Sequence, residues 1–471
     1  MKLIFDQDKS SDIRTIGSIE ALLLISEWHP RSLHFASDLD AWDTTLIAGD
    51  STDHESRNQQ TPTDRWLADV VDPARRSDRM SWMLLGCALS LAHELTIFCD
   101  QQQPGTRLDF TTSRNNRAST LLYVFTNQLA SRTGISSTLP QNVTRGPRRD
   151  GFDMGHWNTH MRAWTELTKL FKSLTDMAFA SKDITEQLLR SGRYIGLLQH
   201  FQPLLEQWRT HYLEDQDFPP VYRDVLFIEY QYVRIYCNSI GMQAVCERAI
   251  NTEADGNKLS GFALPFEVAD QEYIQEVVSG SCDILEKIIE LADRDKLRFA
   301  PVRIFLRLTT SSVFLLKAMS IGIRNVQLRF ALSVLHRCVK ALRSSVSDDM
   351  HLANSFAELL EVHIKQIQSG FLLSSQRVSP GQVNVSARLS TRDSTGNTVT
   401  TPARAEDGHI GRDEDTDSFA LNLDDLLAGD DWLSLPFDPS MAPFASNYTS
   451  TLPSNMQNDG LDFLWNFPAG V

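Results

Sequence analysis

Arg79–Phe98, RMSWMLLGCALSLAHELTIF, and Asn115–Gly134, NNRASTLLYVFTNQLASRTG, are two long helical patterns joined by a polar loop. In the first, Met80, Met83, Leu84, Cys87, Leu91 and Leu95 recur at three- and four-residue steps, which predicts one apolar helix face. Gly86, Ala88, Ser90 and Ala92 keep much of the remaining surface small, so other helices can approach closely. Gly134 stands where a glycine closes a helix. Periodicity alone predicts two buried helices of an all-α core.

Working outward, the same period recurs along the chain. Residues 17–28 read as a short helix stopped by His29-Pro30, and 36–64 as a polar loop. Pro73 suits a first helical turn. Residues 135–155, with Pro140, Pro147, Arg145, Arg148 and Arg149, read as a surface loop. Further helices are predicted over Trp157–Met177, Tyr194–Leu213 (with Pro203 as a site for a kink), Val221–Ile250, Ile274–Ala292, Pro301–Ile321, Asn325–Ser344 and Met350–Ile367. No strong period-2 segment competes with them. The expected fold is therefore all-α: one large multi-helix domain over residues 1–372, its helices lying within about 10–372.

Composition then changes. Residues 374–404 hold 11 Ser or Thr among 31 positions, and Lys365 is the last lysine. Such a segment buries too little apolar surface to offset its ordering entropy, so 373–410 reads as a disordered linker. From Ala405 to Val471 there are 13 acids and one base, a net of −12, whereas the other 404 residues carry 47 acids and 44 bases. Most of the chain's net charge of −15 thus sits in one tail. Within it, DSFALNLDDLLAGDDWLSLPFD (417–438) interleaves Leu423, Leu426, Leu427, Trp432, Leu433, Leu435 and Phe437 with aspartates, and DGLDFLWNF (459–467) repeats the idea with Phe463 and Trp465. Acids keep such apolar groups solvated until they enter a coactivator groove as a short helix, the composition of an acidic activation tail, read here as 411–471. The alternative is a C-terminal helix docking on the domain's own surface.

Signatures of chemistry are weak. Cys87, Cys99, Cys237, Cys246, Cys282 and Cys338 form no CxxC pair and mostly fall in apolar helical patterns, as reduced core residues do. His156 and His160, in HWNTH, are four residues apart but lack the glutamate of HExxH, and read as a polar helix start. His93, beside Glu94 in an apolar helix, reads as a hydrogen-bonded core or boundary histidine. There is no GxSxG, Walker lysine loop or GxGxxG, so no catalytic residue is assigned and no enzyme is expected. The N-terminus lacks a signal-peptide core and no run reaches a membrane span, so the sequons at Asn142, Asn384 and Asn447 read as chance matches. Arg75-Arg76 and the arginines of 145–149 read as solvated surface.

Five blocks carry a family resemblance: Ser18–Phe35, Ser81–Leu95, Leu121–Pro140 (LLYVFTNQLASRTGISSTLP), Tyr222–Arg248 (YRDVLFIEYQYVRIYCNSIGMQAVCER) and Phe305–Met319. In order and spacing they resemble the regulatory middle homology region of fungal zinc-cluster transcription factors, nearest to the subgroup of the secreted-protease activator. The resemblance implies a nuclear activator of a gene set such as secreted proteases or a secondary-metabolite cluster, with homo- or heterodimerisation among zinc-cluster factors. The family's six-cysteine zinc module has no counterpart in these residues. No cofactor or metal ligand is therefore carried over, and zinc is expected only with an upstream module. DNA contact is expected indirectly, through a partner or such a module. The alternatives are a regulator acting by dimerisation with a complete zinc-cluster factor and, from another class, an all-α enzyme or small-molecule-binding protein.

Overall fold

The computed structural model describes residues 14–29, 72–98, 110–134, 137–139, 155–214, 218–254, 268–322, 325–345 and short pieces between 353 and 365. The expectations for 36–64, the linker and the acidic tail, with anchors Leu423, Leu426, Leu427, Trp432, Leu433, Leu435, Phe437, Phe463 and Trp465, lie outside these residues. Among them the elements are α1 (Ile16–Glu27), α2 (Asp72–Glu94), α3 (Phe110–Thr133), α4 (Gly155–Ala178), α5 (Lys182–Arg190), α6 (Tyr194–Leu213), α7 (Pro220–Ala254), α8 (Val268–Asp293), a 3-10 turn (Leu297–Phe299), α9 (Val302–Gly322) and α10 (Asn325–Ser344). The described residues contain no strand, so the fold is all-α.

α3 is the shared wall of two hydrophobic cores. On one side, α1 and α2 pack Ile19, Leu22, Leu23, Leu84, Ala88, Leu91 and Ala92 against Ala118 and Leu122. On the other, Tyr123 and Val124 join the large core of α4 and α6–α10. Leu121 and Phe125 touch both. Leu84 and Leu91 are thus core positions, but the predicted stripe of α2 needs correction. Met83 is 47 % exposed, while Leu85 and Leu89 are buried. The helix is covered from two sides, so its open stripe is the narrow Met83, Gly86, Ser90, His93 line. Close approach does run through Ala88 and Ala92, whereas Gly86 and Ser90 face solvent.

α2 also ends earlier than its apolar pattern predicts. The Ile97 amide donates to the Ala92 carbonyl (2.9 Å) and the Thr96 amide to that of His93 (3.1 Å), with Thr96 at φ +52°. This paired turn satisfies the last carbonyls of the helix, although a β-branched residue is unfavourable in that conformation. Gly134, at φ +70°, closes α3 as predicted. α5 has no counterpart in the periodic reading. Its Ser181 hydroxyl caps the Ile184 amide (3.3 Å), and Ile184, Leu188 and Leu189 share one face of its nine residues, a short period that the reading of longer segments passed over. α6 keeps Pro203 within a continuous helix.

α7 and α8 form the most extensive helix pair, and two glycines set their separation. A Cβ on Gly241 would lie 2.5 Å from the Tyr273 ring, and one on Gly280 would lie 2.9 Å from the Ile235 side chain. Outward of these contacts, Arg234 pairs with Glu276 (2.6 Å), and Gln231 Nε2 donates to Asp283 Oδ2 (2.9 Å). Gly241→Ala is expected to push the helices apart and cost about 1–3 kcal/mol, the usual range for an overpacked core. A thermal melt that matches the parent chain would show that Tyr273 yields without cost.

Candidate functional site

Residues 126–133 of α3, TNQLASRT, are buried without interruption, and all their polar side chains except Thr126, whose Oγ1 has no hydrogen-bond partner among the described residues, are paired within the protein. Asn127 Nδ2 donates to the Tyr123 carbonyl (2.8 Å), and Thr133 Oγ1 to that of Leu129 (2.8 Å). Thr175 Oγ1 of α4 donates to Ser131 Oγ (3.1 Å). Arg132 makes a two-pronged ion pair with Asp78 of α2, with Nη1 to Oδ2 at 2.6 Å. Gln128 Nε2 donates to Glu229 Oε2 of α7 (3.2 Å) and to Thr168 Oγ1 of α4 (3.4 Å).

Glu229 is the centre of this seam. Its Oε2 also accepts from Arg307 Nη2 of α9 at 3.1 Å, the two side chains being 1 % and 3 % exposed. Arg307 reaches Gln128 Oε1 (3.4 Å), and its guanidinium lies 3.7 Å from the centre of the Tyr232 ring. Burial opposes the Arg307 charge, but Glu229 and Tyr232 hold its pKa above the ordinary value. One turn earlier on α9, Arg303 makes a two-pronged pair with Glu27 of α1, both contacts at 2.8 Å. Its guanidinium sits in the corner formed by the edge-to-face rings of Phe125 (4.2 Å) and Trp164 (4.4 Å), so dispersion and ring electrostatics add to the ion pair. Burial pushes the Glu27 carboxyl above its usual range, with Arg303 opposing.

His160 stands beside this second pair. It is buried among Tyr222 (4.7 Å between ring centres), Trp164 (5.5 Å), Trp157 and Phe218, and its Nδ1 has no hydrogen-bond partner. Burial, aided by the Arg303 charge, lowers its pKa to about 4, so the ring is neutral near pH 7. This corrects the reading of a polar helix start, because aromatic rings from α4 and α7 close over the position. His156, one turn away, is exposed. His93 likewise is neither core nor boundary: it is exposed, 5.0 Å from the Phe98 ring, and the adjacent Glu94 pairs with Arg14 (2.9 Å).

The arrangement holds its charges in internal pairs. The buried carboxylates of Asp78, Glu27 and Glu229 each face an arginine. Burial pushes the thiols of Cys237, Cys282 and Cys338 up to about 12, so they stay protonated and poorly nucleophilic. Among the described residues no group of three or more His, Cys, Asp or Glu is placed to hold a metal ion. None of their helices is long and apolar enough to cross a membrane. Four of the five sequence blocks contribute to the seam, through Glu27, Gln128 with Arg132, Glu229 with Tyr232, and Arg307. The individual pairs are not legible in the sequence, whose one signal is a run of polar residues inside an otherwise apolar helix.

Fold and seam together define an all-helical body locked by internal ion pairs, with no catalytic constellation among the described residues. The chain is similar to a protein of Aspergillus fumigatus named Transcription factor hmgR. The two are 44 % identical over 498 aligned positions, which cover 99 % of this chain and 65 % of that protein. The chain thus spans slightly under two thirds of that relative's length. No family model matches the chain, and no solved structure matches it.

Glu229→Leu should strand the Arg307 charge in the core and cost about 3–5 kcal/mol, whereas Glu229→Leu with Arg307→Met should recover most of that loss. Denaturant titration of both variants checks this; a double variant no better than the single one would mean that Glu229→Leu destabilises mainly by some other route than the pair. The His160 ring is neutral in the folded state and has an ordinary pKa near 6.5 when unfolded. Its contribution is complete above pH 6.5 and is lost as pH falls towards about 4. That separation in pKa amounts to roughly 3 kcal/mol. His160→Phe should therefore flatten the acid side of the stability profile relative to the parent, and parallel profiles would contradict the assigned ring environment.

Proposed function

We propose that this chain is the regulatory and activating part of a fungal transcription regulator acting in the nucleus. The observation that carries the reading is the 44 % identity, along 99 % of the chain, to a protein named as a transcription factor. Likeness over that share extends beyond the helical body into the acidic tail. The zinc-cluster resemblance of the five blocks and the internally paired seam support a helical regulatory body, with no enzymatic role. The same resemblance suggests target genes for secreted proteases or a biosynthetic cluster. With a net charge of −15, the chain is poorly suited to hold phosphates itself. DNA contact therefore belongs to a dimerisation partner or to a segment outside these residues. Residues 411–471 supply activation, through Leu423, Leu426, Leu427, Trp432, Leu433, Leu435 and Phe437, with Phe463 and Trp465 as a second island, entering a coactivator groove.

Fused to an unrelated DNA-binding module, residues 411–471 should drive a reporter. Leu426→Ala, Leu427→Ala, Trp432→Ala and Phe437→Ala together should reduce output to background. Asp430→Asn with Asp431→Asn should reduce it less, because exposed charges steer and solvate more than they anchor. Full output from the quadruple variant would leave the tail as a solubilising extension.

A further inference from the structure

α10 carries no acid in its 20 residues, in a chain where acids outnumber bases by 60 to 45. Its buried face, with Leu328, Ala331, Val334, Leu335, Cys338 and Leu342, packs into the large core. Its open face holds Arg329, His336, Arg337, Lys340 and Arg343. At 100° per residue these five lie within about 120° of arc, one basic strip along a helix about 30 Å long. Phe330 is 52 % exposed at the rim of that strip. Arg337 has a distant partner in Glu286 of α8 (3.9 Å), and Arg343 pairs with Glu361 (2.7 Å). Among the described residues Arg329 and Lys340 make no ion pair.

We propose that this face of α10 docks the chain's own acidic, apolar segment, residues 417–438. Charge complementarity is the first argument. That segment carries six aspartates and no base, and its Trp432, Leu433 and Phe437 match the rim at Phe330. Reach is the second. The Arg343–Glu361 pair brings the chain beyond α10 back to that helix. The 51 residues 366–416 then separate Lys365 from Asp417, a contour of up to about 170 Å against a helix of about 30 Å. Attachment to the same chain is the third. A tethered peptide is presented at an effective concentration on the order of 1 mM, far above that of a second copy in dilute solution. A nucleic-acid backbone fits less well, because it has no use for the apolar rim and meets a chain of net charge −15. Docking would occupy the groups assigned above to a coactivator, and that consequence alone rests on the activation reading.

The test couples amines to carboxylates in the full chain with a zero-length carbodiimide reagent at low salt and maps the links by mass spectrometry. The expected product joins Lys340 to Asp424, Asp425, Asp430 or Asp431. Its yield should fall about tenfold in Arg329→Glu/Arg337→Gln and also at about 0.5 M salt, where screening is strong. Lys172–Asp176 and Lys287–Glu290, which are ion pairs within single helices, serve as internal controls for coupling and folding. Control links without a Lys340–tail link would overturn the proposal, as would a Lys340–tail yield insensitive to the double variant. In an equal mixture of heavy and light chains, mixed heavy–light links at the share expected for random pairing would assign the face to a second copy and refute docking in cis, which yields unmixed links alone. Absent tail links together with duplex-DNA binding that Arg329→Glu/Arg337→Gln abolishes would assign it to nucleic acid and equally refute the proposal. The tail-fusion reporter contains no α10, so activation and docking can fail separately.

Discussion

The Glu229 carboxylate, buried between α3, α7 and α9, is the constraint on which the rest of the packing depends. Removing two charges from water costs several kcal/mol per ion, and their attraction offsets this only when geometry and hydrogen bonding are good. Here Arg307 approaches to 3.1 Å, Gln128 supplies a further donor to the same Oε2, and Tyr232 offers its ring face to the guanidinium, while Glu229 Oε1 and Arg307 Nε have no hydrogen-bond partner among the described residues. Such a pair adds little net stability compared with well-packed apolar residues. It does, however, heavily penalise any arrangement of the three helices that separates the charges.

The same device recurs where the two cores meet. α1 belongs to the smaller core, yet its C-terminal end is tied to α9 by Glu27–Arg303 and to the 3-10 turn before α9 by the Trp28 indole, which donates to the Phe299 carbonyl at 3.0 Å. Arg132–Asp78 ties α3 to α2. Phe125 and Trp164 flank Arg303, so the aromatic packing that buries His160 and the ion pair that anchors α1 share atoms. Disturbing either should disturb the other, which makes this corner the natural place for the two cores to be coupled.

Polar character is therefore partitioned within the body. Inside, each buried carboxylate of the seam faces an arginine. Outside, α10 collects bases along one strip while its opposite face enters the core.

The helical class, the places of α4 and α6–α10, the αL glycine at 134 and the core roles of Leu84 and Leu91 were legible in the sequence. Period and cap chemistry are local, and neighbours within four residues carry them. The amphipathic composition of 417–438 is likewise local, and the sequence by itself determined it. Tertiary structure decided the rest. Met83 faces outward because two helices, and not one, cover α2. α2 stops at a turn through Thr96, whereas the short period of α5, Ile184, Leu188 and Leu189 behind the Ser181 cap, was present in the sequence and passed over. The seam was beyond sequence reading because its partners are 54 (Asp78–Arg132), 78 (Glu229–Arg307) and 276 (Glu27–Arg303) residues apart. Whether an arginine meets solvent or a carboxylate depends on which helices the chain brings together, and no local pattern encodes that meeting.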